Sequence, residues 1–346
     1  MILRKTFFLS ITSILLFAYL GEAQTTIAKY AGEFLSIGVG GRALGMGDAY
    51  VAVANDVTAG YYNPAGLINL NYPQVALMHE ERFGSLVNYD YAAVAIPYGT
   101  DMSLGLSIIR LGVDGIPDTR NALVDANGDG VLNILNDRLD YSKITEFSNQ
   151  DWAIYLSFAK KLSDKFSYGA SVKVIRETLA EYGATGIGFD VGAQYKAMDN
   201  LMLGVNIQDV TTTLVAWSTG TNELISPTLK VGGAYSFRFL GGMFTPAVDI
   251  DIRFEDRKYA ANFYIGPISY DRNLGMEYNF KNIFMIRAGY NEVNQFTIGA
   301  GVKLPKLNID YSFARFNQSS DDRLPDTHRI SLILTLEEPK FLRDGL

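Results

Sequence analysis

From Gln74 to the C-terminal end the chain repeats one pattern. Apolar and polar residues alternate at period two in segments of about ten residues, separated by turn-forming clusters. Phe189, Val191, Ala193 and Tyr195 alternate with Asp190, Gly192, Gln194 and Lys196; Val248, Ile250, Ile252 and Phe254 alternate with Asp249, Asp251 and Arg253. The same period runs through 203–207, 274–280, 296–303, 307–313 and 329–336. Further segments at 74–81, 87–97, 102–111, 152–162, 166–179 and 228–237 bring the expected strands to about fourteen. The stretch 263–270 is set apart, because Gly266-Pro267 interrupts it and Pro cannot donate to a strand ladder. Ten residues is the length of a tilted strand crossing a bilayer. One face of the strands is apolar and often ends in an aromatic ring, which makes Tyr168, Tyr195, Tyr235, Tyr278, Tyr290 and Phe316 candidates for interfacial girdles. The other face carries Gly, Ser, Asn and charges of both signs. Periodicity alone fits two folds: a membrane barrel with a polar lumen, or a soluble all-β sandwich or propeller with an apolar core.

The N-terminal residues favour the membrane. Arg4 and Lys5 precede an apolar stretch, Thr6 to Leu20, and Gly21-Glu22-Ala23 offers a small-x-small cleavage site. Residues 1–23 are expected to be a secretory signal peptide, the stretch being short for a transmembrane anchor. After Gln24 no apolar run approaches the ~20 residues of a helical span; Tyr91–Pro97 is among the longest and ends in Pro. Composition narrows the chemistry. Among 346 residues there are no cysteines and two histidines, His79 and His328, so disulfide frameworks, thiolate nucleophiles and His-rich metal sites are excluded or disfavoured. Lys and Arg total 30 against 37 Asp and Glu, a net charge of −7 that argues against nucleic acid as a partner. Charged residues are 19% and aromatics 12%, an unusual balance for a soluble enzyme.

Residues 31–67 read differently, with small residues throughout and little alternation. Gly38-Val39-Gly40-Gly41 superficially suggests a nucleotide fingerprint, but no strand precedes it and no βαβ unit follows. A compact segment of tight turns is expected, with a short helix near Asp48–Ala54, small enough to pack inside something narrow. Gly41-Arg42-Ala43, Gly45-x-Gly47-Asp48-Ala49, Asn55-Asp56 and Asn63-Pro64-Ala65-Gly66-Leu67 resemble the entry segment of the PorV/PorQ family, itself similar to FadL-type outer-membrane transporters of hydrophobic compounds. The resemblance implies an all-β fold: a transmembrane antiparallel barrel of about fourteen strands with an N-terminal hatch in the lumen. Residues 24–72 would be the hatch, 73–336 the barrel and 337–346 a C-terminal tail. The Asn63, Pro64, Ala65 turn would lead into the first strand, as a structural turn ahead of any ligand contact. The tail departs from the family, since outer-membrane barrels commonly end on an aromatic residue.

An insertion at 114–150 interrupts the strands. Within it Asp125, Asn127 and Asp129, with Gly130 and the Val131 carbonyl, match the first half of a calcium-binding loop. The twelfth position is Asn136 in place of Glu, with Asp137 next, so a calcium ion and a plain solvated Asx-rich turn both remain open; no cofactor is required otherwise. No G-x-S-x-G elbow accompanies the histidines, and Asp249, Asp251 and Glu277 among Arg253, Lys281 and Arg287 read as lumen charge pairing, so no enzyme is expected. The resemblance implies a bacterial outer-membrane protein serving protein secretion or surface attachment of cargo, with secretion components or cargo as partners beside lipid. The alternatives are FadL-like passage of hydrophobic small molecules and a soluble secreted β-protein with a binding role.

Overall fold

The computed structural model describes residues 32–344 apart from 129, 136 and 318–323. The expected signal segment 1–23, residues 24–31 and the candidate ligand Asp129 lie outside the described residues. In chain order, β1 (Gln74–Arg82), β2 (Val87–Tyr98) and β3 (Met102–Asp118) are followed by a small hairpin, β4 (Leu123–Val124) with β5 (Arg138–Leu139). Then come β6 (Thr145–Ser163), β7 (Phe166–Leu179), β8 (Tyr182–Met198), β9 (Leu201–Gln208), β10 (Thr213–Trp217), β11 (Asn222–Ile225), β12 (Thr228–Tyr235), β13 (Phe237–Phe239) and β14 (Gly242–Arg253). The chain finishes with β15 (Phe263–Ile265), β16 (Ile268–Phe280), β17 (Phe284–Tyr290), β18 (Gln295–Lys303), β19 (Leu307–Phe316) and β20 (Thr327–Thr335).

Each wall strand pairs antiparallel with its neighbours, and β1 pairs with both β2 and β20, so the sheet closes on itself. With β9 and β10 as one interrupted strand, and β11 to β13 as the next, the wall is a closed barrel of 14 strands. Short turns such as 99–101, 164–165 and 199–200 lie at the end where β1 starts and β20 finishes. The opposite end carries the 119–144 and 254–262 loops. Barrels of this kind keep short turns in the periplasm and longer loops outside the cell, which orients the chain.

Burial settles which face is which. Along β7, Ser167, Ser171, Lys173 and Glu177 are buried, while Tyr168, Val172 and Val174 between them are exposed. A soluble sandwich would show the reverse, with apolar residues buried and charges in water. Here the apolar face looks out. The row Leu77, Ala92, Ile108, Ile154, Val174, Ile187 is a set of cross-strand neighbours over six adjacent strands, all on the outer face. The next row toward the cell exterior is His79, Asp90, Arg110, Trp152, Arg176, Thr185. That change from wholly apolar to mixed polar marks the outer edge of the lipid-facing belt. Tyr168, Tyr195 and Tyr235 are exposed at the periplasmic edge, where interfacial aromatics belong. Tyr278, Tyr290 and Phe316 are only partly exposed, and the Tyr278 hydroxyl instead donates to the Leu240 carbonyl at 2.9 Å.

Several sequence expectations change. The stretch 263–270 is not a wall strand but a hairpin, β15 with the start of β16, and Gly266-Pro267 is its tip. The remaining wall strand is β17, where inward Met285 and Arg287 alternate with outward Phe284 and Ile286. The insertion is narrower than 114–150, since β3 runs to Asp118 and pairs with β6 down to Thr145, across a bulge between Val113 and Ile116.

Residues 33–70 sit inside the wall. Short helical turns form at Glu33–Ser36, Gly41–Gly45, Ala59–Tyr62 and Pro64–Asn69. No helix forms at Asp48–Ala54; a turn closed by Tyr50 takes its place, with the Ala54 amide donating to the Tyr50 carbonyl at 2.8 Å. The space is too narrow for more. Inward glycines of the wall lie directly against this backbone: a Cβ on Gly275 would stand 2.2 Å from the Met46 carbonyl oxygen, and one on Gly289 would stand 2.3 Å from the Gly47 nitrogen. The glycines on the polar face of the strands therefore form a seat for a second layer of backbone.

Candidate functional site

The buried N-terminal segment is held by charge and by hydrogen bonds at every level. Near the closing seam, Arg329 of β20 and Glu80 of β1 are fully buried and paired, and Arg329 Nη2 also donates to the Ile37 carbonyl at 3.1 Å. Opposite, Glu277 accepts from Arg42 Nε at 2.9 Å and from Arg287 Nε at 2.7 Å, while Arg287 Nη1 reaches Asp310 at 2.6 Å. Charges this deep persist only when each has a partner. Lys281, expected among the lumen charges, instead stacks over Phe280 at the short-turn end. The Asp249 carboxylate accepts both the Tyr50 and Val51 amides, at 2.6 and 2.8 Å.

The candidate turn residues act in the same seat. Asn63 is fully buried; its Oδ1 accepts the Ala65 amide at 3.2 Å, and its Nδ2 donates to the Val51 and Ala193 carbonyls, each at 3.0 Å. Pro64 and Ala65 rest on Gly169, where any Cβ would come within 2.6 Å of their backbone. At the periplasmic end the tail folds back, and Arg343 donates to the Leu70, Ile68 and Met102 carbonyls.

Two larger spaces flank the segment among the described residues. Toward the periplasm a cavity of about 480 Å³ is lined by Ile68, Asn69, Gln194, Lys161 and Arg343. On the extracellular side a cavity of about 380 Å³ lies over Leu44, Asp48, Val51, Tyr61 and Tyr62, within the size range of small-molecule sites. Phe34, Ile37, Leu111 and Val293 give it apolar walls, and Lys230, Asp249, Asp251, Glu292 and Gln295 supply polar ones. Burial works against the Glu292 charge, but Arg253 and Lys230 outweigh it and hold this loop carboxyl below its usual range. The sequence pattern marked Asp249 and Asp251 as inward but gave no signal that Asp48, Tyr61 and Tyr62 of the N-terminal segment would form the floor.

The candidate calcium residues stand apart, in the extracellular insertion. Asp125 accepts the Gly128 and Gly130 amides at 2.6 and 2.8 Å, and Asp137 accepts those of Ala126 and Asn133 at 3.0 and 2.8 Å. Asn127 and Val131 belong to the same turn, Val131 being exposed. Among the described residues no group of three or more histidine or acidic side chains is gathered to hold a metal ion. The two histidines lie on the outer face of adjacent strands: His79 Nδ1 is 2.7 Å from Asp90, and His328 Nδ1 is 2.7 Å from the Tyr311 hydroxyl.

No family model matches this chain, and no curated protein does. Solved structures do. The Ralstonia pickettii toluene transporter TbuX superposes with a TM-score of 0.58 at 14% identity, covering 86% of this chain and 98% of its own. The Pseudomonas putida toluene transporter TodX gives 0.57 at 13%, covering 86% and 96%. A Pseudomonas aeruginosa FadL homologue gives 0.55 at 12%, covering 86% and 98%. At such identities the likeness concerns the fold. Together with the outward apolar belt, it makes this chain a bacterial outer-membrane β-barrel of the FadL-like architecture.

Proposed function

We propose that the barrel passes small apolar or amphiphilic molecules across the outer membrane, with residues 33–70 as a hatch between two lumen cavities. The observation that carries this reading is the 380 Å³ cavity, mostly apolar, closed below by the N-terminal segment and open toward the extracellular loops. The neighbours described as toluene transporters share the architecture in which such a cavity arises. The same chain in proteoliposomes should speed entry of toluene or butylbenzene over protein-free vesicles. Equal rates in the two preparations would remove the reading.

A second reading, protein secretion or attachment of exported cargo, draws on the PorV/PorQ-like N-terminal motif and on one structural observation. The extracellular insertion exposes Val131, Leu132, Ile134 and Leu135 together, an apolar surface beyond the lipid belt. Purification from native membrane in mild detergent tests it: a secretion component or exported protein must accompany the wild-type chain and be lost when these side chains are made polar.

A further inference from the structure

We infer that the extracellular lumen cavity takes an amphiphile whose polar end is a cation or a hydrogen-bond donor, such as an arylalkylamine or amino alcohol, over a carboxylate or a bare hydrocarbon. This deepens the proposed passage and rests on it for its physiological meaning.

The argument starts from which charges are already committed. Lys230 is paired with Asp251. Arg82 holds Glu80 at 2.9 Å, and Arg253, at the extracellular end of β14, holds Asp271 at 2.6 Å and Glu292 at 2.8 Å. Every one of these cations is thus committed to an acidic partner, with Arg82 and Arg329 sharing Glu80 and Lys230 and Arg253 sharing Asp251. The acids are not matched in return. Asp48 receives one hydroxyl, from Tyr62 at 2.9 Å, and Asp249 receives only the two backbone amides on Oδ2; among the described residues neither forms an ion pair with Lys or Arg.

A second observation points to a ligand. Asp249 and Asp251 are each 1% exposed, and in each the Oδ1 atom has no hydrogen-bond partner among the described residues. A buried acceptor without a donor is costly, and both residues line the one cavity, so a donor that enters it and draws either carboxylate round relieves that cost. Gln295, 3% exposed, adds one buried donor without a partner among the described residues, which a ligand hydroxyl can satisfy while donating in turn. A carboxylate entering this space would meet Asp48 and Asp249 with no uncommitted cation. A bare hydrocarbon would leave the orphaned oxygens as they are. The apolar walls at Phe34, Leu44 and Leu111 take the body of the molecule.

The test is calorimetric titration of the full barrel in nanodiscs with 4-phenylbutylamine, 4-phenylbutyrate and butylbenzene, against empty nanodiscs. The amine is expected to bind about tenfold or more tightly than the other two. Asp48→Asn should weaken the amine by about tenfold relative to butylbenzene. Asp249→Asn, which retains an acceptor for the Tyr50 and Val51 amides, should do the same, with heat-modifiable migration showing that both variants are folded. Equal or tighter binding of the carboxylate, an amine affinity indifferent to both variants, or no binding of any probe would overturn the inference. Uptake into proteoliposomes is scored separately. Amine binding without uptake of any probe removes the passage reading and leaves this one standing; hydrocarbon uptake with no amine binding does the converse.

Discussion

Gly275→Ala adds one methyl group where wall and hatch backbones approach most closely among the described residues. Its Cβ would stand 2.2 Å from the Met46 carbonyl oxygen and 3.0 Å from the Met46 carbonyl carbon, both backbone atoms that cannot rotate away. Restoring an ordinary 3.4 Å contact requires the hatch to retreat about 1.2 Å. Carried to Tyr50 and Val51, that movement stretches their 2.6 and 2.8 Å bonds to Asp249 beyond hydrogen-bonding range. Each bond to a charged acceptor contributes about 1.5–3 kcal/mol, so the hatch should lose roughly 3–6 kcal/mol of its hold. The wall should tolerate the change, since Ala fits a strand at least as well as Gly. Gly233→Ala is the control: its Cβ would meet Leu203 at an ordinary 3.5 Å. The assay is limited proteolysis of residues 45–55 beside single-channel conductance in a planar bilayer. Gly275→Ala should open the segment to protease and raise conductance, with urea unfolding of the barrel little changed. Protection and conductance equal to the Gly233→Ala control would refute the reasoning that the inward glycines seat the hatch.

Four further outcomes can be checked. A Cβ on Gly41 would lie 3.1 Å from Ser331 Oγ, so Gly41→Cys with Ser331→Cys in this cysteine-free chain should form a bridge between hatch and wall; oxidation should suppress solute uptake and reductant restore it, and undiminished uptake in the oxidised form would mean the hatch need not move there. Val172→Arg should cost about 2–4 kcal/mol of barrel stability in bilayers by putting charge on the lipid face. Its neighbour changed as Lys173→Met should cost about 3–5 kcal/mol by stranding Asp190 and Asp209, now each 2.9 Å from the Lys173 ammonium, and Asp190→Asn should recover part of that loss; urea titration of the refolded barrels checks all three. If the insertion does hold calcium, millimolar calcium should slow trypsin cleavage at Arg120, Arg138 and Lys143, an effect absent in Asp125→Ala, whereas cleavage indifferent to calcium speaks for the solvated turn.

The strands were legible because lipid imposes a uniform demand on every second residue within its belt, and the outward row from Leu77 to Ile187 carries it without exception. Reading failed where the inward face was not polar. In β17 the inward Met285 turns Phe284–Ile286 into an apolar run with no visible alternation. In the hatch, burial comes from all sides, so no period exists, and small residues that looked like a helix at 48–54 became turns pinned by Asp249 from a strand about 200 positions away. The Asn63–Ala65 turn was visible as turn chemistry. Its partners Gly169 and Gly192 were not, because close approach of two backbones leaves no signal beyond the absence of a side chain.

The seam between first and last strands joins three pieces of the chain at once. Glu80 enters with β1 and Arg329 with β20, and the guanidinium spans from that carboxylate to the backbone at Ile37 and Gly40. Until the hairpin nearest the C-terminal end arrives, the leading residues lack this anchor; once it has arrived, the ring is shut and the seat offers no room to thread a chain. Capture of the plug and completion of the cylinder must therefore be one step in biogenesis, with the plug already waiting indoors when the door closes.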